Sequence, residues 1–349
     1  MAPTLTFAGR PIGPEHPPFV IAELSGNHNG DIGRALALID AAAATGADAI
    51  KIQTYTPDTI TLKSDRPEYR IADGPWAGRT LHDLYAEAHT PYAWHERLFA
   101  RAAEHGVPLF SSPFDDTAVE LLSGLGCPAY KIASFEIVDL PLIARAAREG
   151  KPLIISTGMA NLGEIAQAVD TAHRHGAGGV ALLHCISAYP APIQDANVRT
   201  VPHLGQAFGV VSGLSDHMPG TAASVAAVVL GGAIVEKHMT LARSDGGPDA
   251  AFSLEPDEFA ALVRDCKAAW AALGRVGYEV LGSEAGNLAF RRSLVAVRPI
   301  PEGAVLTAAS VRSIRPGHGL APKYLPAVLG RRAARAIAAG EPLAWDMLA

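Results

Sequence analysis

Ile234-Val-Glu236-Lys237-His238 is a short apolar run that breaks into three ionisable side chains. It follows a helix-like stretch from Thr221 interrupted by Gly231-Gly232, so the segment reads as a helix and then a strand, too short to cross a bilayer. Seven other runs share this form: Phe19-Val-Ile-Ala-Glu23, Ala49-Ile-Lys51-Ile-Gln53, Leu109-Phe-Ser-Ser112, Tyr130-Lys131-Ile-Ala-Ser134, Leu153-Ile-Ile-Ser156, Ala181-Leu-Leu-His184-Cys185, and Val210-Val-Ser212 running on to Ser215-Asp216-His217. Runs this short, rich in Ile, Val and Leu and separated by helical patterns, predict parallel strands buried on both faces. Polar or charged residues at one end of all eight predict an α/β fold, a (β/α)8 TIM barrel with its active site at the C-terminal face.

Helical periodicity falls at 32–44, 92–105, 117–122, 140–148, 162–175 and 256–273, with start signals such as Asp115-Asp116 and Asn161. Only the interval from 53 to 112 is too long for one helix. It carries Arg66-Pro67, Asp73-Gly74-Pro75 and Trp76, which predicts an inserted segment over the barrel mouth. Periodicity stops near Leu273, and Gly274, Gly277, Gly282 and Gly286 follow. The expected organisation is a catalytic barrel over 1–275, a linker over 276–290 and a small, mostly β domain over 291–349. Within the last, Ile300-x-x-Gly303-x-x-Leu306 is echoed by Ile337-x-x-Gly340-x-x-Leu343, which suggests two related half-units.

With 349 residues and 49% apolar composition, the chain can bury a barrel core and has length left for a second domain. Cys127, Cys185 and Cys266 are odd in number and widely spaced, which fits neither a disulfide framework nor a cysteine zinc site and points to a reducing cytoplasm. Residues 1–13 hold no apolar run long enough for a signal core. The net charge of −6 is uneven: from Ala285 onward nine Lys and Arg face three acids. These cations are scattered and lack interleaved aromatics, so a domain docking near an acidic barrel or an anionic substrate is expected, with neither nucleic acid nor membrane as partner.

Lys51 lies between Ile50 and Ile52, and Lys131 between Tyr130 and Ile132. Alternation puts Lys51 and Gln53 on one face of a strand and the isoleucines on the other. A buried ammonium needs a partner. Structural ion pairs would supply one; two such lysines beside Ser112, Ser134 and Ser215 at strand ends fit a bound phosphate or carboxylate better. His217 and His238 end neighbouring strands and form a candidate divalent-metal pair, open to water or substrate because no third strong ligand accompanies them. His184, His16 and His28 read first as structural, His28 also as a possible loop contact. Glu23 and Glu236 should meet where the barrel closes, in acid/base or metal-supporting roles. Glu136 and Asp249 are the remaining carboxylates; Asp249 also suits a turn.

Taken together, Ile21-Ala-Glu23 with Asn27-His28-Asn29-Gly30, Lys51-Ile-Gln53-Thr54, Ser112-Pro113-Phe114, Pro128-Ala-Tyr-Lys131-Ile-Ala-Ser134, Ser156-Thr-Gly158-Met159, Tyr189-Pro190, Gly213-Leu-Ser215-Asp216-His217, Glu236-Lys237-His238 and Gly247-Pro248-Asp249 resemble the sialic acid synthase family. Its members condense phosphoenolpyruvate with an N-acylated amino sugar. Arg315-Pro-Gly-His-Gly319 resembles that family's small antifreeze-like (SAF) domain.

The resemblance implies that Lys51, Gln53, Ser112, Lys131, Ser134, Ser187 and Ser215 hold phosphoenolpyruvate. It implies that Gln53, Glu136, Tyr189, Asp249, Arg291 and Arg315 face the sugar, Arg315 from the partner chain of a domain-swapped homodimer. His217 and His238 would bind Mn²⁺, Mg²⁺ or Co²⁺, and Glu23, Lys51, Lys131 and Glu236 would carry the catalysis.

Two departures matter, since sialate synthases proper have Asn at Ser187 and an aromatic residue near Arg291. With Arg79-Thr-Leu-His-Asp-Leu-Tyr85, Ala250-Ala-Phe252-Ser-Leu-Glu-Pro256, Arg291-Arg292-Ser293-Leu294 and Gly317-His-Gly-Leu-Ala-Pro322-Lys-Tyr324, they look like the pseudaminic acid branch. Its sugar is 2,4-diacetamido-2,4,6-trideoxy-L-altrose, which carries an extra acetamido group and lacks the 6-hydroxyl, and a pocket with changed polar residues suits it because a missing hydroxyl leaves buried polar partners unpaired. The N-acetylneuraminate and legionaminate branches are the alternative. Outside the family, a metal-dependent barrel hydrolase leaves the two buried lysines without a purpose. A sugar- or ice-binding protein leaves the strand ends unexplained.

Overall fold

The computed structural model describes residues 3–74 and 76–349; Met1, Ala2 and Pro75 of the inserted segment lie outside the described residues. The chain divides into two compact units, Met1–Gly274 and Arg275–Ala349. The first elements are an antiparallel hairpin, β1 (Leu5–Phe7) and β2 (Arg10–Ile12). Eight parallel strands then close a barrel: β3 (Phe19–Glu23), β4 (Ala49–Thr54), β5 (Leu109–Pro113), β6 (Tyr130–Ile132), β7 (Leu153–Ser156), β8 (Val180–Cys185), β9 (Val211–Asp216) and β10 (Ile234–His238), with β10 pairing back onto β3. All eight expected runs are therefore strands. Their residues are buried on both faces because lumen side chains fill one side and helices cover the other.

The α-helices of the first unit are α1 (Ile32–Ala44), α2 (Pro57–Ile60), α3 (Leu81–Ala88), α4 (His95–Glu104), α5 (Asp116–Gly124), α6 (Leu140–Ala147), α7 (Leu162–Arg174), α8 (Thr200–Phe208), α9 (Ala222–Val229) and α10 (Pro256–Leu273). Start signals fix their first turns: Asp31 accepts from Arg34 N–H on α1, and Asn161 with Glu164 forms a reciprocal capping box on α7. Sequence periodicity did not reveal α8, where Pro202 and Gly205 interrupt the pattern, nor α3 inside the insert. It also missed the hairpin, whose strands are three residues each. That hairpin plugs the N-terminal end of the barrel: the Phe7 ring lies 5.0 Å from Phe19 and 5.1 Å from Phe110, centroid to centroid. Apolar rings thus fill that end of the lumen, while the buried Glu and Lys side chains of the lumen gather at the other.

In the second unit, β11 (Ser293–Ala296) pairs antiparallel with β12 (Val311–Ile314). The echoed sequence is a structural repeat about a two-fold through Ile300 and Ile337, which exchange two backbone hydrogen bonds of 2.9 Å. Gly303 N–H donates to Ala333 O and Leu306 N–H to Arg331 O; Gly340 N–H donates to Ala296 O and Leu343 N–H to Leu294 O in the same pattern. Both glycines have left-handed φ (71° and 87°), and the two isoleucines and two leucines are buried. Among the described residues no helix is long and apolar enough to cross a membrane.

Candidate active site

Parallel register brings the strand ends into one cluster. Glu23 and Lys51 are register partners on β3 and β4, Gln53 and Ser112 on β4 and β5, and Ser215 and Glu236 on β9 and β10. Lys51 Nζ lies 3.1 Å from Glu23 Oε2 and 2.9 Å from Glu236 Oε1, and donates to Ser112 Oγ at 3.4 Å. Lys131 Nζ lies 3.6 Å from the same Glu236 oxygen, to which Ser215 Oγ also donates at 3.3 Å. Gln53 Nε2 donates to Glu23 Oε1 and to Ser25 Oγ, each at 3.0 Å. The two carboxylates respond differently to this setting. Burial raises the Glu23 pKa, with Lys51 only partly opposing it. Burial also works against ionised Glu236, but Lys131 and Lys51 overcome it and hold that carboxyl at about 2. Burial lowers the Lys131 pKa, and the two glutamates around Lys51 outweigh burial and raise its own.

After β6 and β7, Ser134 accepts from Gly158 N–H at 3.1 Å. A Cβ on Gly158 would sit 2.3 Å from Ser187 Oγ and 2.8 Å from Ser134 Oγ, so glycine alone leaves room for both hydroxyls. Gly158 and Ser156, whose buried Oγ has no hydrogen-bond partner, join this wall although only their motif stood out in the sequence. Glu136 follows Ser134 on a 3-10 turn (Ser134–Glu136). Its Oε2 is buried without a partner, and burial pushes its carboxyl up to about 7 against the pull of Lys131. Asp249 is tied down by Ser25 Oγ and, at 3.2 Å, Gly26 N–H, so the loop after β10 is fastened to the loop after β3.

His217 and His238 face each other with ring centroids 5.3 Å apart. His217 Nδ1 lies 3.0 Å from the Ile186 carbonyl, which can only accept, so that nitrogen carries a proton; burial works against the charged ring, but Cys185 and the Ile186 carbonyl outweigh it and raise the His217 pKa. His238 Nδ1 is buried without a hydrogen-bond partner, and burial, with neighbouring His217, Lys51, Lys237 and Lys131, holds this imidazole neutral. Two imidazoles facing each other, His238 with a ring nitrogen that has no partner, fit a divalent ion whose binding displaces the second His217 proton and whose other ligands are not side chains. Among the described residues no group of three or more His, Cys, Asp or Glu is arranged to hold a metal. His184 Nε2 bonds the Ala196 carbonyl at 2.9 Å, His28 lies on Trp94, and neither joins the pair.

An aromatic wall, not apparent in the sequence, covers the histidines. Tyr189 lies 4.5 Å from His217, and Phe252 lies 5.0 Å from His238 and 5.2 Å from Tyr189. Trp76, from the insert, stacks 5.7 Å from Tyr189 and donates Nε1–H to Pro248 O at 2.9 Å, so the insert reaches this mouth. Arg291 and Arg315 belong to the second unit, where both are exposed.

Chemistry gathered at the C-terminal face of a closed parallel barrel defines the class: a (β/α)8-barrel enzyme. The chain belongs to the NeuB family, the sialic acid synthases, whose family profile matches residues 38–278, and a SAF domain matches residues 291–349. It is 41% identical over 334 residues to pseudaminic acid synthase of Helicobacter pylori, covering 95% of this chain and 97% of that one. It is 42% identical over 325 residues to pseudaminic acid synthase of Campylobacter jejuni strain 81-176, covering 93% and 95%. The crystal structure of N-acetylneuraminic acid synthetase from Leptospira borgpetersenii is 32% identical and superposes with a TM-score of 0.73, over 82% of this chain and 96% of that one.

Proposed function

We propose that this chain is a pseudaminic acid synthase. It joins phosphoenolpyruvate, 2,4-diacetamido-2,4,6-trideoxy-L-altrose and water to give pseudaminic acid and inorganic phosphate. The reading is supported by the two pseudaminic acid synthases matched nearly end to end. One structural observation carries its chemistry: two buried ammonium groups share a carboxylate at the same mouth as a pair of facing imidazoles.

In this reading C3 of phosphoenolpyruvate forms the new bond to the aldehyde carbon of the open-chain sugar, and the aldehyde oxygen takes a proton. Water adds at C2 and loses one proton; the bond from C2 to the oxygen bridging to phosphorus then breaks as the new C2 hydroxyl passes its proton to the departing phosphate, leaving a ketone at C2 and free phosphate. Lys51 and Lys131 hold the anionic substrate and the departing phosphate, with Gln53, Ser112, Ser134, Ser187 and Ser215 around them. Glu236, whose Oε2 has no hydrogen-bond partner, and Glu23 beside it are the carboxyls within this cluster that exchange protons with the water and the aldehyde oxygen. Gln53, Glu136, Tyr189 and Asp249 face the sugar. A divalent ion held by His217 and His238 (Mn²⁺, Mg²⁺ or Co²⁺) supplies Lewis-acid polarisation of the aldehyde when bound.

The reading extends to a cytoplasmic, domain-swapped homodimer in which Arg315 serves the partner's sugar, with Arg291 also facing the sugar. Arg315→Ala and Lys131→Met dimers would each be inactive, and an equal mixture of exchanged chains would regain about a quarter of the wild-type sites. No recovery would assign Arg315 to its own barrel. The test of the reaction is a mass-spectrometric screen of phosphoenolpyruvate and Mn²⁺ against the altrose sugar, N-acetylmannosamine and 2,4-diacetamido-2,4,6-trideoxy-mannose. The altrose sugar should give the nine-carbon acid with one phosphate released. Faster turnover of either other sugar would move the chain to another branch, and turnover without phosphoenolpyruvate would make it a hydrolase.

A further inference from the structure

A second buried ion pair lies directly behind the histidines, on the outer face of the same two strands. Alternation sends Glu236 and His238 of β10 into the lumen and Lys237 outward, while Asp216 of β9 points outward between Ser215 and His217. Lys237 Nζ lies 2.9 Å from Asp216 Oδ2, and both side chains are wholly buried. The two residues are register partners on the last rung of the β9–β10 ladder, so each precedes a histidine just where the ladder ends.

Their hydrogen bonds also hold the backbone of Met218, the residue just after His217. Asp216 Oδ1 accepts Met218 N–H at 2.9 Å, and Lys237 Nζ donates to the Met218 carbonyl. Asp216 Oδ2 accepts Ser224 Oγ–H at 2.6 Å, which ties the strand end to α9. The His217 carbonyl accepts Ala191 N–H at 3.0 Å. A buried ion pair seldom stabilises a fold more than apolar packing of the same volume, but it does hold a geometry.

We propose that Asp216 and Lys237 are positioning residues that set the spacing and orientation of His217 and His238 for a divalent ion. This rests on the metal site proposed above. Groups that orient metal ligands from behind are commonly worth ten- to a hundredfold in metal affinity.

The test is Mn²⁺ binding to the full-length chain, followed by the EPR signal of the free ion, with phosphoenolpyruvate binding measured calorimetrically in EDTA. Wild type should bind Mn²⁺ saturably and His217→Ala should not; without that contrast, the histidine site itself is wrong. In the Asp216→Leu/Lys237→Met double variant, apolar groups replace both charges. It should melt cooperatively and bind phosphoenolpyruvate within about twofold of wild type, yet bind Mn²⁺ about ten- to a hundredfold more weakly. Wild-type Mn²⁺ affinity in that variant would overturn the proposal. If the double variant does not fold, Ser224→Ala decides, since it removes only the tether to α9: Mn²⁺ affinity should fall several-fold, and an unchanged value would overturn the proposal.

Discussion

Three lysines are buried among the described residues of the barrel, and they occupy two kinds of surroundings. Lys237, on the outer face, meets an aspartate whose oxygens are taken up by Lys237, Met218 N–H and Ser224. Lys51 and Lys131, in the lumen, crowd onto one oxygen of Glu236, while Glu236 Oε2 has no hydrogen-bond partner. Leaving a buried polar atom unpaired is costly, so folds satisfy almost all of them. The same residue type therefore does two jobs on the two faces of one barrel wall. Where partners are saturated, the lysine is scaffold; where they are not, the proposed function gives the remaining valence to a substrate.

The comparison breaks first at the histidines, where the largest effect is expected. His217→Ala and His238→Ala should each abolish turnover, and dialysis against EDTA should do the same to wild type. Mn²⁺ or Co²⁺ should then restore only the wild type, read as phosphate release. Full activity in excess EDTA would take the metal out of the mechanism.

Lys131→Met tests the lumen side. It removes one charge from the shared carboxylate while keeping side-chain length, and an apolar residue suits a strand wall. Phosphoenolpyruvate binding should weaken by about 2–5 kcal/mol, the range for truncating a buried charge pair, with the melting transition retained. Calorimetric titration checks it. Normal binding would put Lys131 with Lys237 among the structural lysines.

Glu136 carries the contrast into pH dependence. Burial lifts its folded pKa to about 7 from an ordinary 4.5. Between those values the folded state holds a proton that the unfolded chain has released, so stability declines as pH rises through that window. The decline attributable to this group is on the order of 1–3 kcal/mol and is complete above pH 7. Glu136→Gln stays neutral and should flatten the change in urea-unfolding stability between pH 5 and 8 by that amount. Parallel pH slopes for variant and wild type would mean that Glu136 is not protonated in the fold.

Legibility followed period and strand length. The eight barrel strands could be read because charged residues interrupt short apolar runs, and period-two alternation already put Lys51 and Gln53 on one face. The same rule, applied to Glu236-Lys237-His238, separates Lys237 from its neighbours, but it cannot say that Asp216 would lie opposite. That depends on the β9–β10 register, which no local pattern encodes. Long-range contacts hid the aromatic wall too: Trp76, Tyr189 and Phe252 come from three loops, and nothing in their spacing announces that they stack. The hairpin escaped because three-residue strands carry too little alternation to stand out.

The finest test of saturated against unsaturated polar groups is at that wall. Trp76 has one polar atom, and it is satisfied by Pro248 O at 2.9 Å while the ring lies against Tyr189. Trp76→Phe keeps an aromatic ring and deletes the bond, a loss of about 1 kcal/mol. Pro248 precedes Asp249, which Ser25 and Gly26 N–H already anchor, so the loop after β10 should stay in place and only the insert should loosen. Steady-state kinetics should then show the sugar KM raised about three- to fivefold, which is that energy partly expressed, with kcat, the phosphoenolpyruvate KM and the melting temperature unchanged. An unchanged sugar KM would mean that the insert covers the mouth without touching the sugar. A fall in kcat at constant KM would mean that Trp76 acts through Tyr189 on the histidines, and the wall would then belong with the groups that hold the chemistry in place.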